Sequence, residues 1–308
     1  MEVKEISERI KRLQEEKDAI ILAHYYTRPE VQDVAGYLGD SLGLSRMAAR
    51  ASARVIVFCG VHFMAETASI ISPDKKVLIP ARDAGCSLSE SVTGADLAAW
   101  KAAHPGGIVV CYVNTSADVK SNADYCCTSS NATRVVESLP AGRPVLFVPD
   151  KNLGAYINKV TGRDMELWHG DCCVHERLPA PVLLERLDEY PGAIALVHPE
   201  ANGSHDDRVL HHPRVVIAST AGMIDHARRS TCRQYIVATE LETIHELAKS
   251  CPGKTFIPAL RSTICGQMKK ITIERVLDAL EKEQFEVKVA DEIREKARVP
   301  IQRMLDVK

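Results

Sequence analysis

The 308-residue chain lacks several features that define common protein classes. No apolar run approaches the roughly 18 residues that a membrane-spanning helix needs. The glycine patterns of dinucleotide-binding and P-loop proteins, G-x-G-x-x-G and G-x-x-x-x-G-K-S/T, are missing. The formal net charge of -2 gives no reason to expect a polyanion as a partner. We therefore expect a protein that binds neither a membrane nor a nucleic acid.

Cysteine usage suggests a compartment. Residues 1–18 are charged throughout, so we expect no secretory signal peptide. Ten cysteines without such a signal indicate a reducing environment, which we take to be the cytoplasm. Cysteines there are more often metal ligands, catalytic groups or small core residues than disulfide partners. Cys59, Cys111 and Cys126 lie in apolar, strand-like runs, so we expect them to fill the core.

The chain is too long for one ordinary core and fits two or three small domains. Apolar strand-like runs alternate with helical segments, which predicts an α/β fold with parallel sheets covered by helices on both faces. The same order of elements occurs three times, as three similar αβα domains. We expect α/β units over residues 1–85, 86–175 and 176–270. A helical tail over 271–308 follows, part of which packs on the first unit.

The first strand of each repeat ends at a polar residue. These residues are His24, Tyr112 and His198, and they lie 88 and 86 positions apart. A repeat of this length is the size of a small α/β domain. Ligands in such folds bind beyond the carboxyl ends of the strands. If the three units close around a pseudo-threefold axis, the polar strand ends converge on one central active site.

One cysteine follows each of these strand ends at a similar distance. Cys86, Cys172 and Cys265 come 62, 60 and 67 residues after the polar residue of their own repeat. A structural zinc site normally has four ligands with C-x₂₋₄-C pairs, and the sequence contains no such pair. Three thiolates on a 4Fe–4S cluster would leave one iron free to act as a Lewis acid. The alternative is that the three are unrelated core or loop cysteines.

Ionisable side chains also lie at or just after the strand ends. They are His24, Tyr26, Tyr112, His198 and Glu200. Imidazole, phenol and carboxyl groups are those expected to move protons in catalysis. A single histidine at a strand end is more often a structural hydrogen-bonding group. The catalytic interpretation depends on the recurrence of these residues in equivalent places.

Hydroxyl residues lie where helices are expected to begin or break, as in the long helix that we expect from Pro29 with a break near Asp40. They are Ser41, Ser129 and Thr220, one in each repeat. Hydroxyls and free backbone N–H groups at helix starts bind phosphate or carboxylate. For each residue taken singly, the alternative is a simple helix cap.

A series of short motifs, spread over nearly the whole chain, has a familiar order. The motifs are His24-x-Tyr26 with Pro29-Glu30, Gly39-Asp40-Ser41-Leu42, Phe63-Met64-Ala65-Glu66-Thr67, Tyr112-Val113-Asn114-Thr115-Ser116, Thr128-Ser129-Ser130, Pro149-Asp150-Lys151-Asn152-Leu153-Gly154, Cys172-x-Val174-His175, His198-Pro199-Glu200 and Ser219-Thr220. In these motifs the chain resembles the quinolinate synthases, A-type iron–sulfur enzymes of bacterial and archaeal NAD biosynthesis. The resemblance implies three α/β domains around a pseudo-threefold axis, with a 4Fe–4S cluster at the centre.

The resemblance also implies a reaction and its partners. Enzymes of this family condense iminoaspartate (iminosuccinate) with dihydroxyacetone phosphate, which gives quinolinate, phosphate and two waters. The small-molecule partners expected here are therefore iminoaspartate and dihydroxyacetone phosphate. Transient contact with the enzyme that makes iminoaspartate is a further expectation.

Roles carry over residue by residue from the matching motifs. The cluster ligands implied are Cys86, Cys172 and Cys265, with Cys173 a bystander. Glu200 is implied as the acid/base group, assisted by Tyr26 and His198. The implied substrate-binding residues are His24, Ser41, Tyr112, Val113, Asn114, Ser129, His198, Pro199, Glu200 and Thr220.

Two departures and two rival functions accompany the resemblance. The loop at residues 201–207 is longer and more polar than in many family members, and the surroundings of Cys265 match more loosely. An iron–sulfur hydro-lyase acting on another small hydroxy acid would use the same three thiolates without a triose phosphate. A cluster-bearing sensor would need no acid/base groups, so Tyr26, His198 and Glu200 argue against it.

Overall fold

The computed structural model describes residues 2–307 and contains three parallel sheets of four strands each. The strands of the first sheet are β1 (Ala19–His24), β2 (Tyr37–Gly39), β3 (Val55–Cys59) and β4 (Lys76–Leu78). The accompanying helices are α1 (Val3–Glu16), α2 (Pro29–Asp33), α3 (Ser41–Arg50) and α4 (His62–Ile71).

The second and third sheets follow in the chain. The second contains β5 (Ile108–Tyr112), β6 (Tyr125–Cys127), β7 (Val145–Val148) and β8 (Glu166–Leu167), with α5 (Gly94–Ala103), α6 (Ala117–Asn122), α7 (Ala132–Glu137) and α8 (Lys151–Thr161). The third contains β9 (Ile194–Val197), β10 (Val215–Ile217), β11 (Gln234–Ala238) and β12 (Thr255–Pro258), with α9 (Ala180–Glu189), α10 (Asp207–Leu210), α11 (Thr220–Arg229) and α12 (Thr243–Ser250). The tail adds α13 (Ile273–Lys282) and α14 (Asp291–Asp306).

The three sheets share one topology. In each, the strand order across the sheet is second, first, third and fourth in chain order, and all pairings are parallel. The predicted α/β fold of three similar units is therefore confirmed. In each unit the first strand lies inside the sheet, and one of the polar residues singled out from the sequence lies at its carboxyl end. We propose that the units meet near residues 85, 175 and 270, in the loops that follow the fourth strands.

The central strands are mainly apolar. Every residue of β3, β5 and β7 is buried, as expected for parallel strands covered by helices on both faces. Cys59, Cys111 and Cys126 are fully buried within the strands, which confirms their predicted place in the core. None of the helices between residues 2 and 307 is long and apolar enough to cross a membrane.

One element was predicted wrongly. The sequence predicts a long helix from Pro29 that breaks near Asp40, but the segment forms α2, the edge strand β2 and then α3. The three residues of β2 pair with the end of β1, from Leu22–Tyr37 to His24–Gly39. A strand this short has no alternation of polar and apolar residues that separates it from a helix. Its structure comes from pairing with β1, which the local sequence does not reveal.

The tail contacts the first and second units. Ile6, Ile10 and Leu13 form the buried face of α1, which packs against α13. The segment between α13 and α14 extends the edge of the first sheet, where Val287 N–H donates to Val77 O at 2.8 Å. Helix α14 packs on α6 and β6, and the buried Asn131 side chain donates to Met304 O at 2.9 Å. The tail therefore joins two units from outside.

A glycine at the start of the Cys172 loop allows a close backbone approach. Gly170 pairs with Asp150 in an isolated parallel bridge. A Cβ atom there would lie 2.6 Å from Pro149 O and 2.5 Å from Ser91 Oγ. Contacts this short force the backbone to shift.

We predict that Gly170→Ala destabilises the cluster-free protein by about 2 kcal/mol, a typical cost of overpacking. Urea unfolding followed by circular dichroism would measure the loss. Gly266→Ala is the matched control, because it lies beside Cys265 and its added Cβ would meet nothing within 4 Å. Equal stability of the two variants would contradict the close approach at Gly170.

Candidate active site

A cavity lies where the carboxyl ends of the three sheets meet. It holds about 770 Å³ of empty space, part of it open to solvent. All the residues predicted for catalysis and metal binding line it, together with every predicted substrate-binding residue except Val113 and Pro199. Those two are the middle residues of strand-end triplets. The chain bends or turns directly after each first strand, and the first and third residues of each triplet face the cavity.

At two of the strand ends, a backbone hydrogen bond of the same kind fixes the tautomer of the histidine. The backbone N–H of Tyr26 donates to His24 Nδ1 at 3.2 Å, and that of Glu200 donates to His198 Nδ1 at 3.3 Å. An Nδ1 atom that accepts a hydrogen bond carries no proton, so a neutral ring has its proton on Nε2. Burial lowers the pKa of His24 to about 4 and that of His198 to about 3. Both rings are therefore neutral near pH 7 and have an Nε2–H donor free for a bound molecule.

Glu200 lies in a buried chain of hydrogen bonds. Tyr112 Oη donates to its Oε1 atom, and His175 Nδ1 lies 3.2 Å from its Oε2 atom. His175 Nε2 lies 2.9 Å from Thr239 Oγ1, which in turn lies 2.8 Å from Tyr26 Oη. The chain thus connects Tyr112 to the carboxylate directly, and Tyr26 to it through a hydroxyl and an imidazole.

The carboxyl group and the two phenols of this chain have pKa values shifted in opposite directions. Burial raises the pKa of Glu200, but His175 and the hydrogen bonds from His175 and Tyr112 outweigh burial and hold that pKa below its usual value. Burial and the Glu200 charge raise the pKa of Tyr26 and of Tyr112 well above the ordinary value for tyrosine. At neutral pH the chain therefore contains an ionised carboxylate, Glu200, connected to two phenols that keep their protons.

The helix-start hydroxyls are not caps. In α3 the cap is Asp40, whose Oδ1 accepts from Gly43 N–H at 2.9 Å. In α11 the cap is Ser219, whose Oγ accepts from Gly222 N–H at 3.3 Å. The cap interpretation of Ser41 and Thr220 is therefore wrong. Both residues line the cavity with Ser129, which precedes α7.

The residues beside these hydroxyls join the three units. Ser130 Oγ lies 2.6 Å from Asp40 Oδ2 and 2.8 Å from Ser219 Oγ. Ser219 Oγ also lies 3.3 Å from the same carboxylate oxygen. Each unit contributes one residue to this network. It fixes the positions of the three neighbouring hydroxyls relative to one another.

The three predicted metal ligands occupy equivalent loops. Cys86, Cys172 and Cys265 follow the fourth strand of their own sheets, are half-buried and line the cavity. Backbone N–H groups two or three residues further on favour the ionised form of each thiol and so act to lower its pKa: Leu88 and Ser89 at Cys86, His175 at Cys172, and Gln267 and Met268 at Cys265. Burial raises the pKa of all three thiols, that of Cys86 to about 12. Thiols of this kind ionise when a bound cation replaces the proton.

The thiol of Cys172 lies next to the acid/base chain. One ligand atom from each of Cys172, His175 and Glu200 lies within 4.8 Å of the others, a spacing that can hold a metal ion. Cys173 is exposed and also lines the cavity. A metal held by Cys172 would therefore be adjacent to the Glu200 carboxylate.

Sequence reasoning missed several residues of the site. His175 lies within a recognised motif but received no role, and Thr239 and Gln267 received none. Gln267 Oε1 and Asn114 Oδ1 are buried without a hydrogen-bond donor, and both residues line the cavity. A buried acceptor without a partner costs about 1–3 kcal/mol, so a bound molecule with donor groups would stabilise both. The sequence contains one signal that could have identified a missed residue: His175 lies three positions after the predicted ligand Cys172.

The fold and the site together define an α/β enzyme of three repeated units, whose central cavity combines a buried acid/base chain with three thiols. The chain belongs to the family described as quinolinate synthetase A protein, whose model matches residues 8–306. The family predicted from the sequence motifs is thus confirmed.

Relatives that align over nearly the whole chain carry the name of the same family. A quinolinate synthase from Pyrobaculum aerophilum is 47% identical over 305 residues, which cover 98% of this chain and 99% of that protein. One from Thermus thermophilus is 47% identical over 302 residues, 98% of this chain and 97% of the relative. One from Methanoregula boonei is 48% identical over 300 residues, 97% of each. The similarity therefore spans all three units.

We predict that the cluster-free protein loses stability as the pH falls below about 6.5. The unfolded chain binds protons at the ordinary histidine pKa of 6.5, whereas folded His24 and His198 resist protonation down to about pH 4 and pH 3. Each histidine thus contributes stability that is present above the unfolded pKa and lost towards the folded one, by at most about 1.4 kcal/mol per pH unit. Urea unfolding at several pH values would measure the slope.

His24→Asn and His198→Asn should both flatten this slope, because Asn Oδ1 can accept the same backbone hydrogen bond without titrating. His211→Asn, at an exposed position, should leave the slope unchanged. An unaltered slope in both site variants would mean that neither histidine is held neutral by burial.

Proposed function

We propose that this enzyme condenses iminoaspartate with dihydroxyacetone phosphate to form quinolinate, with release of phosphate and two waters. The observation that carries the proposal is that three thiols, each from the loop after the fourth strand of a different sheet, share a cavity with the acid/base chain from Tyr26 to Tyr112. The names of the relatives support the same reaction. The product would enter pyridine nucleotide (NAD) biosynthesis.

Both proposed substrates are anions, yet among residues 2–307 no lysine or arginine lines the cavity. The groups available are neutral donors, namely the Nε2–H groups of His24 and His198 and the hydroxyls of Ser41, Ser129 and Thr220. The N-termini of α3 and α11, each a helix of ten residues, add their partial positive charge. We propose that these groups bind the substrate carboxylates and phosphate.

A 4Fe–4S cluster fits the three thiols. Backbone N–H groups near each sulfur favour its thiolate form, and such groups also tune the potential of a bound cluster. Cys86, Cys172 and Cys265 would hold the cluster. When bound, the cluster supplies a Lewis-acidic iron without a protein ligand, which is the positive charge that the cavity walls lack.

Glu200 and the two phenols would move the protons. Formation of the pyridine ring requires the isomerisation of a ketose phosphate, the loss of phosphate and the removal of two waters. Each event takes a proton from carbon or nitrogen, or gives one to a departing oxygen. Ionised Glu200 would accept protons, and Tyr26 and Tyr112 would donate them. His175 and Thr239 would pass protons between Tyr26 and Glu200 without solvent.

We further propose a cytoplasmic location, since cluster ligands must stay reduced. Iminoaspartate hydrolyses readily in water as an imine. Transient contact with the enzyme that produces it would shorten its exposure to water.

We predict about four irons per chain, with acid-labile sulfide, after reconstitution without oxygen. The same sample should form quinolinate from iminoaspartate and dihydroxyacetone phosphate. Cys86→Ser, Cys172→Ser and Cys265→Ser should each lose the cluster and the activity, because three thiolates are needed to hold it. Cys173→Ser is the matched control and should keep both.

A cluster without quinolinate formation would instead support the iron–sulfur hydro-lyase. Absence of iron from the wild-type protein would contradict the proposed metal centre. Loss of iron in Cys173→Ser, with retention in Cys172→Ser, would show that Cys173 and not Cys172 is the ligand.

Thr239→Val tests the proton path, because valine has nearly the same shape but cannot connect Tyr26 to His175. We predict that kcat falls by roughly tenfold or more, a modest share of what general acid–base catalysis contributes. KM for dihydroxyacetone phosphate should hardly change, since Thr239 does not line the cavity. Steady-state kinetics would measure both.

Thr67→Val is the matched control for this substitution. Thr67 is equally buried and bonds only to Phe63 O within its own helix, at 2.8 Å. Equal kcat in the two variants would remove Thr239 from the proton path.

A further inference from the structure

A buried carboxylate behind the Cys265 loop takes no part in the chemistry described above. Glu240 follows β11 and is fully buried. Its Oε1 accepts a hydrogen bond from the backbone N–H of Cys265 at 3.1 Å, and its Oε2 accepts one from that of Glu242 at 2.8 Å. Lys269 Nζ lies 2.7 Å from Oε1. Glu240 thus holds the backbone of a predicted cluster ligand and forms an ion pair with a lysine from the same loop.

Lys269 extends this contact to another unit. Its Nζ donates to the carbonyl oxygen of Tyr26 at 2.6 Å, and its own carbonyl accepts from Arg28 Nε at 2.9 Å. The Gln32 amide, from α2, donates to Glu242 O at 3.2 Å. The strand-end loop of the first unit, which carries Tyr26, is therefore bonded to the third-unit loop that carries Cys265.

The cost of burying the Glu240 carboxylate indicates that its contacts stabilise the Cys265 loop. A carboxylate removed from water is strongly destabilising unless it is paired and hydrogen-bonded. Glu240 has a cationic partner and two backbone donors, whereas the Cys172 loop is held by the partly exposed pair Lys151–Asp171, at 2.8 Å. Removal of the Glu240 carboxylate would leave the Lys269 ammonium, 13% exposed, and the Cys265 N–H without their partner.

We propose that Glu240 and Lys269 are positioning residues, which hold Cys265 where it binds the cluster and keep its loop in register with Tyr26. The inference rests on the proposed function in one respect, that Cys265 is a cluster ligand. Neither side chain lines the cavity, so both act through other residues.

The first test is iron retention. After reconstitution without oxygen, Glu240→Ala and Lys269→Met should release iron to a chelator roughly tenfold faster than the wild type, which is the lower end of the usual effect of residues that orient metal ligands. Glu240→Gln should fall between them and the wild type, because its amide oxygen still accepts the Cys265 N–H. Glu242→Gln is the matched control: its carboxylate is 3.8 Å from Lys269 Nζ and partly exposed, and it should behave as the wild type.

The second test needs no cluster. In the cluster-free proteins, alkylation by iodoacetamide followed by mass spectrometry reports how firmly each cysteine is held. Cys265 should react several-fold faster in Glu240→Ala than in the wild type, while Cys86 and Cys172 keep their wild-type rates as internal references. Circular dichroism and thermal unfolding establish that the variants are folded.

The outcomes separate this inference from the proposed function. A wild-type protein without iron would contradict the proposed metal centre, and Cys265 alkylation would still decide whether Glu240 positions the loop. Wild-type iron retention and alkylation in folded Glu240→Ala would overturn the inference. If Glu240→Ala does not fold, Glu240→Gln and Lys269→Met decide in its place, by the same two measurements.

Discussion

The site depends on the direction of the strands. In a parallel sheet every strand delivers its carboxyl end to the same edge, and the residues just beyond that edge form the ligand site. Here three sheets with identical strand order turn those edges toward one cavity. The end of each first strand and the bend or turn that follows it contribute two residues to the cavity: His24 and Tyr26, Tyr112 and Asn114, and His198 and Glu200. The fourth strands contribute the cysteine loops, so that no unit contains a complete site.

Such a shared site requires the units to be held in register, and two sets of polar contacts do this in addition to the acid/base chain. The Asp40, Ser130 and Ser219 side chains bond to one another behind the cavity hydroxyls. Glu240 and Lys269 connect the Cys265 loop to the loop of Tyr26. Buried polar groups are stable only when their partners are in place. A displaced unit would leave charges and hydroxyls unpaired, which gives the arrangement a specificity that apolar packing alone would not provide.

Much of this could be predicted from the sequence, because strand ends and repeat spacings are local signals. The polar strand ends and the three cysteines recur at similar intervals, and their convergence followed from the α/β pattern. The sequence could not reveal β2, whose three residues become a strand only by pairing with β1. Nor could it assign His175 or Thr239, since their partners Glu200 and Tyr26 lie in other units. The hydroxyls of Ser41 and Thr220 look like caps in the sequence, and only the structure shows that Asp40 and Ser219 cap instead.

The convergence of the three thiols on one metal centre is the central claim, and anomalous diffraction at the iron edge tests it most directly. Crystals of protein reconstituted without oxygen should show about four irons in the central cavity. Three of these irons should each be bonded to one of the sulfurs of Cys86, Cys172 and Cys265, at about the 2.3 Å typical of metal–thiolate bonds. The fourth should have no protein ligand. Iron elsewhere in the protein, or a centre that any of the three sulfurs fails to reach, would contradict the account.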